Sequence, residues 1–322
     1  MAKGAGKGGG GDNRRQVYLS RLSKIFGVRE NLAERMASVR LRSSIRINAL
    51  SPLTPNEILA RLDDLGAELQ PIPWCPGAYH LLSDKSAVAE SDLFQDGHVY
   101  IQNASSLIPA LAMGPQAGER ILDVCAAPGG KTAHIQALAG GGASIVANDA
   151  MQPRLQKLEE VLTTFRVGNA EITNFEGQFI DRHVDGPFDR ILLDAQCSGE
   201  GMLDLSHPNA LRFWSVDRVI KMSYLQQKML TAAWKLLKPG GVLIYSTCTF
   251  GPEENEGPVS RHLKHHVDAA VEPIDLDIPG RRPGLKSWDG APFDPSLKDA
   301  VRVLPSEFLE GFFVCRLRKA VS

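Results

Sequence analysis

Lys238-Pro-Gly-Gly-Val-Leu-Ile-Tyr-Ser-Thr-Cys-Thr-Phe-Gly-Pro252 is the stretch that decides the fold. Pro-Gly-Gly favours the end of a helix, Val242–Tyr245 is as apolar as a buried strand, and Cys248 follows where that strand ends. Pro252 suits the first turn of a new helix, and the acidic residues after it suit the positive end of the helix dipole. Such a succession is typical of an open α/β sheet, in which ligands bind at the carboxyl ends of the strands.

Cys248 has two interpretations in this setting. At a sheet edge beside a helix N-terminus, a thiol is placed to be a thiolate. A buried cysteine that acts as a small hydrophobic side chain is the commoner case. The choice depends on the residues that accompany Cys248.

Strands and helices alternate regularly from His98 onward. The predicted strands are Ile121–Cys125, Ser144–Asn148, Ala170–Thr173, Phe188–Asp194 and Val242–Ser246, with Gly311–Leu317 as a late antiparallel strand. Helices are predicted over Thr132–Ala139, Pro153–Phe165 and Val219–Leu237. Because strands that alternate with helices run parallel, we predict an α/β fold with a doubly wound, mostly parallel sheet over residues 96–322.

A small α+β domain is expected before this sheet, over residues 14–95. Arg14–Phe26 and Glu30–Arg40 resemble basic amphipathic helices, and Ser44–Asn48 alternates like a strand. Thr54–Leu65 is a predicted helix with Thr54 as its N-cap. Residues 1–13 are rich in Gly and Lys, which indicates a disordered basic tail.

The positive charge of the chain is concentrated at its front. Residues 1–48 contain eleven Lys or Arg and three Asp or Glu, a net of +8, and the whole chain carries −1. A basic front on an acidic body is suited to gripping a phosphate backbone. The alternative is a pair of charge-dense helices that water solvates.

Composition restricts the cellular setting. Hydrophobic residues make up 43% of the 322 residues and charged residues 23%, as in ordinary globular proteins. No apolar run approaches the roughly 20 residues that a membrane span needs, and no signal peptide is recognisable. Five cysteines without a CxxC pair argue against a disulfide framework and a structural zinc site. We expect a cytoplasmic monomer with reduced thiols and neither a membrane nor a metal as partner.

The first strand-to-helix loop of the sheet is Asp123-Val-Cys-Ala-Ala-Pro-Gly-Gly-Lys131. Its small residues allow a ligand to approach the backbone, but it matches neither the dinucleotide nor the P-loop fingerprint. Asp149 ends the next strand, where a carboxylate commonly binds a ribose. A nucleoside cofactor without a pyrophosphate fits both observations, and S-adenosylmethionine is the candidate. Asp149 could equally be the N-cap of the helix that follows.

A second thiol and an acid end the strand Phe188–Asp194. Cys197 follows Asp194 closely, so that Cys125, Cys197 and Cys248 all lie at carboxyl ends of predicted strands. If those strands are neighbours, two or three thiols face one crevice. A metal site is possible there, but the glycine-rich loop suits a small ligand better.

Three motifs together resemble those of one enzyme family: CAAPGGKT from Cys125, LDAQCSGEG from Leu193 and STCTFGPEENE from Ser246. They resemble the signature motifs of the NSUN (RsmB/RsmF/Sun-type) RNA cytosine-5 methyltransferases. Similarity extends to Tyr100–Ser106, His207–Trp214 and the closing GFFVCRLRK, and covers residues from about 40 to the C-terminus. The layout is similar to the RsmF-like and archaeal-type branches, without the C-terminal RNA-binding domain of some members.

The resemblance implies a class I (Rossmann-like) S-adenosylmethionine methyltransferase and a role for each motif. Cys248 would add to carbon 6 of cytosine, Cys197 would assist proton removal from carbon 5, and Asp194 would hydrogen-bond the edge of the base. Lys131 would help to orient Asp194. The residues it assigns to the cofactor are Cys125, Ala126, Ala127, Pro128, Gly129, Gly130, Lys131, Asp149, Glu176 and Asp194. At Glu176 the family usually has Asp next to the adenine.

One departure from the family pattern is Gln196, where the family has Pro. Proline fixes φ and lacks an N–H, so Gln196 is expected either to loosen the loop of Cys197 or to supply a new donor. Ribosomal RNA is the first expected substrate and transfer RNA the second, and the target cytosine must be single-stranded or extruded. Arg46 and Asn48 are RNA-contact candidates, or ordinary surface residues.

Two other functions remain open at this stage. An RNA-binding assembly factor would keep the fold with turnover weakened through Gln196. An oxidoreductase on the same fold is disfavoured, because the dinucleotide fingerprint is absent.

Overall fold

The computed structural model describes residues 9–321, with side chains from residue 13 onward. The helices are α1 (Gly9–Phe26), α2 (Glu30–Met36), α3 (Pro55–Asp64), α4 (Ser86–Glu90), α5 (Asp92–Gln95), α6 (Ile108–Met113), α7 (Gly130–Leu138), α8 (Gln152–Thr164), α9 (Val216–Leu236) and α10 (Glu256–His265). The strands are β1 (Ser44–Ile47), β2 (Leu69–Pro71), β3 (Ala78–Leu81), β4 (Val99–Gln102), β5 (Arg120–Asp123), β6 (Ser144–Asn148), β7 (Ala170–Thr173), β8 (Phe188–Asp194), β9 (Leu237–Thr247), β10 (Ala269–Glu272), β11 (Arg281–Pro283), β12 (Ser287–Trp288), β13 (Ala291–Pro292), β14 (Val301–Val303) and β15 (Phe312–Lys319).

The larger sheet has the order β11-β14-β15-β9-β8-β5-β6-β7, with β10 pairing β15. The five strands from β9 to β7 are parallel, and β15 runs antiparallel to β9. Apolar residues of α6, α7 and α8 pack on one face and those of α9 and α10 on the other. The predicted doubly wound, mostly parallel sheet is confirmed. Because β5, β8 and β9 are neighbours, the loops that carry the three thiols meet at one edge.

The deciding stretch differs from its prediction at both ends. Strand β9 begins at Leu237, so Pro-Gly-Gly lies inside the strand instead of before it. Helix α10 begins at Glu256, four residues after Pro252. In the intervening turns, Glu254 and Asn255 point inward and are both 0% exposed. Glu254 accepts from Ser198 in the loop after β8, and Asn255 donates to the Thr249 carbonyl in its own loop.

The N-terminal segment differs more. Helix α1 begins at Gly9, so the tail expected over residues 1–13 is helical from Gly9 on, and residues 1–8 lie outside the described part. Tyr18 and Leu22 of α1 pack with Trp214 and Phe250, which lie in the loops after β8 and β9. The basic helices therefore cover the loops that follow β8 and β9, and do not pack on the small sheet.

The small sheet has the antiparallel order β2-β3-β1-β4. Its last strand, Val99–Gln102, lies beyond the boundary expected at residue 95. Thr54 caps α3 as expected, in a capping box with Glu57. The division into domains stays a prediction, as do the monomeric state and the cytoplasmic location. Within residues 9–321 no helix combines the length and apolarity that a membrane span requires.

Arg46 and Asn48 join the two sheets. Both are buried, with 3% and 2% of their surface exposed, so neither is a surface residue. The Asn48 amide donates to the backbone oxygens of Gly97 and of Phe165, which ends α8, at 2.9 and 3.3 Å. The Arg46 guanidinium lies over the Tyr100 ring, 6.0 Å from its centre. The interpretation of these two as ordinary surface residues was wrong, because both side chains are buried, and their contact with RNA stays a prediction.

Candidate active site

Two sulfur atoms lie at the centre of the sheet edge. Cys197 follows β8, Cys248 follows β9, and the Sγ atoms are 3.2 Å apart. The two loops start level with each other, because Asp194 pairs with Ser246 across the parallel strands. The hydrogen bond to Cys248, together with burial, raises the pKa of the Cys197 thiol well above its usual value. Cys197 therefore holds its proton in the free protein.

Two buried carboxylates fix the distance between the thiol loops, each reaching from one loop into the other. Glu200, three residues after Cys197, accepts from Thr249 Oγ1 at 2.9 Å and from the backbone N–H of Phe250 at 3.1 Å. Glu254, six residues after Cys248, accepts from the backbone N–H of Ser198 at 2.9 Å. Hydrogen bonds to an ionised carboxylate are stronger than those between neutral groups.

Close backbone contact completes this packing. The N–H of Gly201 donates to the carbonyl oxygen of Cys248 at 2.9 Å. A Cβ atom at Gly201 would lie 2.0 Å from the carbonyl oxygen of Gly311, which no side chain tolerates. Glycine at residue 201 is therefore required for the two loops to meet the start of β15.

Asp194 has both carboxylate oxygens engaged. Ser246 Oγ donates to Oδ1 at 2.7 Å, and Lys131 Nζ lies 2.8 Å from Oδ2. Burial lowers the pKa of Lys131, but the Asp194 carboxylate outweighs burial and holds that pKa above its usual value. Lys131 is therefore a charged cation in contact with Asp194, and its role in orienting that carboxylate stays a prediction.

A cavity of about 240 Å³ opens beside this ion pair. It is lined by Tyr100, Ile101, Gln102, Ser106, Cys125, Ala126, Ala127, Pro128, Gly130, Lys131 and Asp194. A Cβ atom at Gly130 would lie 2.7 Å from the Tyr100 ring, so the loop after β5 and the small sheet approach each other only because of this glycine. Gly129, Asp149 and Glu176 are not among the lining residues.

Asp149 and Glu176 have other partners. Asp149 is 2% exposed and accepts from the backbone N–H groups of Ala127 at 3.2 Å and Met151 at 2.9 Å, with Arg154 Nη1 at 3.1 Å. It thus holds the loop after β5 in place and makes the turn before α8. Glu176 is exposed and accepts from Gln178 Nε2 at 2.6 Å.

Gln196 does not loosen the loop that carries Cys197. Its carbonyl oxygen accepts from Gln226 Nε2 at 2.9 Å. Burial raises the pKa of the third thiol, Cys125, to about 12, so that this thiol is neutral at physiological pH.

Arg302 holds the far end of the Cys248 loop, and its removal is expected to destabilise the protein. Its Nε donates to Glu256 Oε1 at 2.6 Å and its Nη1 to the Phe250 carbonyl at 2.9 Å, with side chains 4% and 0% exposed for Arg302 and Glu256. Breaking a buried pair from one side leaves an uncompensated charge. We therefore expect Arg302→Met to lower the free energy of unfolding by about 3–5 kcal/mol, measured by urea denaturation. A loss below about 1 kcal/mol would show that the pair does not hold the loop.

Sequence reasoning missed four residues of this site. Glu200 and Glu254 lie inside the quoted motifs, and Tyr100 begins the segment Tyr100–Ser106. No sequence rule predicts that each of the two acids accepts hydrogen bonds from the other thiol loop. Gln226 lies on α9 and is 0% exposed. A polar residue within the apolar face of a predicted helix was the one signal that could have found it.

The solved structure of a methyltransferase homologue protein from Pyrococcus horikoshii is similar to this fold. It is 28% identical, with a TM-score of 0.76 over 94% of this chain and 99% of that chain. The parallel sheet, the glycine-containing loop after β5 and the cavity at the carboxyl ends of the strands define a class I S-adenosylmethionine methyltransferase fold.

Residues 110–318 match the family described as 16S rRNA methyltransferase RsmB/F, and the chain belongs to this family. A ribosomal RNA small subunit methyltransferase F from Vibrio atlanticus (strain LGP32) is 34% identical over 95% of this chain and 64% of its own length. A tRNA (cytosine(49)-C(5))-methyltransferase from Pyrococcus abyssi (strain GE5 / Orsay) is 37% identical over 87% of this chain and 88% of its own. The chain spans less than two thirds of the length of the Vibrio relative.

Proposed function

We propose that this protein is an S-adenosylmethionine-dependent RNA (cytosine-5) methyltransferase that acts on ribosomal RNA through a covalent adduct at Cys248. The observation that carries the proposal is the pair of sulfur atoms 3.2 Å apart, next to the Lys131–Asp194 ion pair and a cavity at the sheet edge. Family membership supports methyl transfer to RNA. The relatives named for ribosomal and transfer RNA support the substrate class.

The residues around the cavity fit the cofactor. Small side chains from Cys125 to Lys131 leave the backbone of the loop open to a ligand, and Gly130 has no room for a Cβ atom. When bound, S-adenosylmethionine supplies a methyl group on a positively charged sulfur. Asp149 would bind ribose hydroxyls only by sharing oxygens that already accept from Ala127 and Met151. Glu176 would need to turn inward to approach an adenine.

The two thiols would act in sequence on cytosine. Addition of the Cys248 thiolate to carbon 6 forms a sulfur–carbon bond and moves the electron pair of the 5,6 double bond toward carbon 5, which then takes the methyl group. Cys197, as a thiolate, takes the proton from carbon 5. The electron pair of that bond re-forms the double bond, and Cys248 leaves as a thiolate. The base gains a methyl group and loses one proton.

The hydrogen bond between the thiols would order these steps. In the free protein it is the first cause of the raised pKa of Cys197. Once the Cys248 sulfur is bound to carbon 6, this cause of the raised pKa of Cys197 is removed. Cys197 then loses its proton to solvent and becomes a base only after the adduct has formed.

Asp194 and Lys131 would stabilise charge on the base. A carboxylate is suited to the amino group and the protonated N3 of cytosine, and Asp194 is held in place from both sides. The Lys131 ammonium, 2.8 Å away, holds the Asp194 carboxylate in place while the base binds.

The RNA-binding surface would not consist of the basic helices alone. Two arginines of α1 are already paired within the protein, Arg15 with Glu34 and Arg21 with Glu253, and Arg42, which follows α2, pairs with Glu307. Exposed aromatic and basic side chains lie instead on the loop before α9 and on α9 itself. This aromatic surface consists of Arg212, Phe213, Lys221, Tyr224 and Lys228. It is linked to the thiols through Trp214, whose Nε1 donates to Glu200 at 2.7 Å.

Removing the aromatic surface is expected to weaken RNA binding and to spare chemistry. Phe213 and Tyr224 are 73% and 64% exposed, as stacking platforms for unpaired bases must be. At about 1–3 kcal/mol per stacked base, Phe213→Ala with Tyr224→Ala should raise the KM for RNA by at least about 10-fold, with kcat nearly unchanged. Phe179→Ala is the matched control, since Phe179 also lies exposed beside an arginine, Arg182. Equal KM values for both variants would place the RNA elsewhere.

The experiment that tests the proposal is incubation with methyl-labelled S-adenosylmethionine and small-subunit ribosomal RNA lacking the modification. Label recovered in 5-methylcytosine of that RNA is the expected result. Label only in transfer RNA would select the second substrate, which the similarity to the Pyrococcus abyssi enzyme over most of both chains favours. Tight RNA binding without transfer would instead indicate an assembly factor.

A further inference from the structure

Cys197 is held on both sides by one pair of side chains. Gln226 Nε2 donates to the carbonyl oxygen of Gln196 at 2.9 Å and to Glu254 Oε2 at 2.8 Å. The same Oε2 atom accepts from the backbone N–H of Ser198 at 2.9 Å. The backbone on either side of Cys197 is thus fixed through Gln226 and Glu254, which we call the Cys197 clamp.

The clamp is buried and incompletely bonded. Glu254 and Gln226 are each 0% exposed, and among the described residues Glu254 Oε1 and Gln226 Oε1 have no hydrogen-bond partner. A buried carboxylate oxygen without a donor is costly, and such a group calls for an explanation beyond packing. A side chain that only filled space here could be apolar at lower cost.

The nucleophilic thiol is held by other bonds. The carbonyl oxygen of Cys248 accepts from the N–H of Gly201, and the residues before it lie in β9, which is paired on both sides. Thr249, after it, donates to Glu200. The two loops also touch through Ser198 Oγ and Thr249 Oγ1, 2.8 Å apart. Because β9 holds the residues before Cys248, loosening the clamp is expected to displace Cys197 more than Cys248.

We propose that Glu254 is a positioning residue for Cys197 and that it controls release of the methylated RNA, not formation of the adduct. The proposal rests on the proposed function, in which Cys248 forms the adduct and Cys197 resolves it. Glu254 acts through the N–H of Ser198 and through Gln226, so that the Cys197 sulfur stays within reach of carbon 5 once Cys248 is bound to carbon 6.

Glu254→Gln is the variant that tests this inference. A glutamine removes the negative charge, so that the hydrogen bonds from Ser198 and Gln226 are accepted by a neutral amide oxygen, which holds them more weakly than the carboxylate does. We expect turnover to fall by about 10- to 100-fold, as for small displacements of a reacting group. A protein–RNA complex that survives denaturing electrophoresis should accumulate, while the Kd for S-adenosylmethionine stays within about twofold of the wild-type value.

Glu253→Gln is the matched control, because it makes the same change one residue away. The Glu253 carboxylate accepts from Arg21 and from Trp288, not from the Cys197 loop. The Glu253→Gln protein should not accumulate the denaturation-resistant complex with RNA. Gln226→Leu removes the other half of the clamp and should also accumulate the complex with lower turnover. If Glu254→Gln does not fold, Gln226→Leu tests whether the clamp acts in release.

The outcomes separate this inference from the proposed function. If Cys197→Ala fails to trap RNA, the assignment of the two thiols is wrong, whatever Glu254→Gln does. If Cys197→Ala traps RNA but the clamp variants form no complex and lose methyl transfer, then Glu254 is needed for adduct formation by Cys248. That result would overturn the inference. Clamp variants with wild-type turnover would overturn it as well.

The pH profile supplies a second readout. Burial raises the pKa of Glu254 to about 7, with Glu200 adding to the rise; Cys197 and Tyr245 also face this carboxyl. Above pH 7 the carboxylate is ionised and accepts its hydrogen bonds most strongly, and below pH 7 it is protonated. The release rate of the wild type should fall as the pH drops through about 7. Glu254→Gln should lack this step, and a step of wild-type size in that variant would assign it to another group.

Discussion

Methyl transfer by the Cys248→Ala protein is expected to fall by at least about 10⁴-fold, to the limit of detection. In the proposed mechanism the Cys248 sulfur is the group that adds to carbon 6, and without that addition carbon 5 stays a poor nucleophile. Losses of this size follow when the nucleophile of a covalent mechanism is removed. The measurement is the initial rate of label incorporation into RNA, with bound S-adenosylmethionine quantified separately to show an intact cavity.

The control for Cys248→Ala is Cys75→Ala. Cys75 is a buried thiol that packs near the small sheet, 1% exposed, so its loss tests the effect of removing a sulfur as such. That variant should retain methyl transfer. A Cys248→Ala protein that methylates RNA at the wild-type rate would exclude Cys248 as the nucleophile.

The Cys197→Ala protein is expected to stop one step later. Cys248 can still add to carbon 6 and carbon 5 can still be methylated, but the base that removes the carbon 5 proton is gone. Elimination of Cys248 then fails, and the RNA stays covalently bound. Most of the protein should migrate as a denaturation-resistant complex with RNA in the presence of S-adenosylmethionine, against little or none for the wild type.

The double variant Cys197→Ala/Cys248→Ala tests this order of events. It should form no complex, since the complex requires the Cys248 sulfur. A complex that persists in the double variant would come from another nucleophile. Absence of a complex in Cys197→Ala, with normal binding of RNA, would mean that Cys197 does not act in release.

The strands that carry the site could be predicted because their apolar runs are short and end in glycine or polar residues. Phe188–Asp194 and Ala170–Thr173 were predicted with their observed bounds. The meeting of Cys197 and Cys248 followed from the rule that consecutive parallel strands are often neighbours. The side-chain contacts between the loops did not follow, because Glu200 and Glu254 each bond a loop far away in sequence.

Local patterns were misleading where tertiary contacts outweigh them. Arg46 alternates with apolar neighbours as a solvent-facing strand residue would, yet its guanidinium lies against Tyr100 in the junction between the sheets. The basic helix α1 has the charge of an RNA-binding arm, but its Tyr18 and Leu22 anchor it over Trp214 and Phe250. In each case the burial partner is more than 50 residues away, where no pattern in a short window can indicate it.

The account depends most on which sulfur bonds to cytosine, and RNA containing 5-fluorocytosine tests that directly. Fluorine at carbon 5 cannot leave as a proton does, so the wild-type protein should be trapped after methylation. Protease digestion and mass spectrometry of the trapped complex should place the modified pyrimidine on Cys248, in the peptide that follows β9. A pyrimidine attached to Cys197, or a protein that is never trapped while it methylates ordinary RNA, would contradict the mechanism.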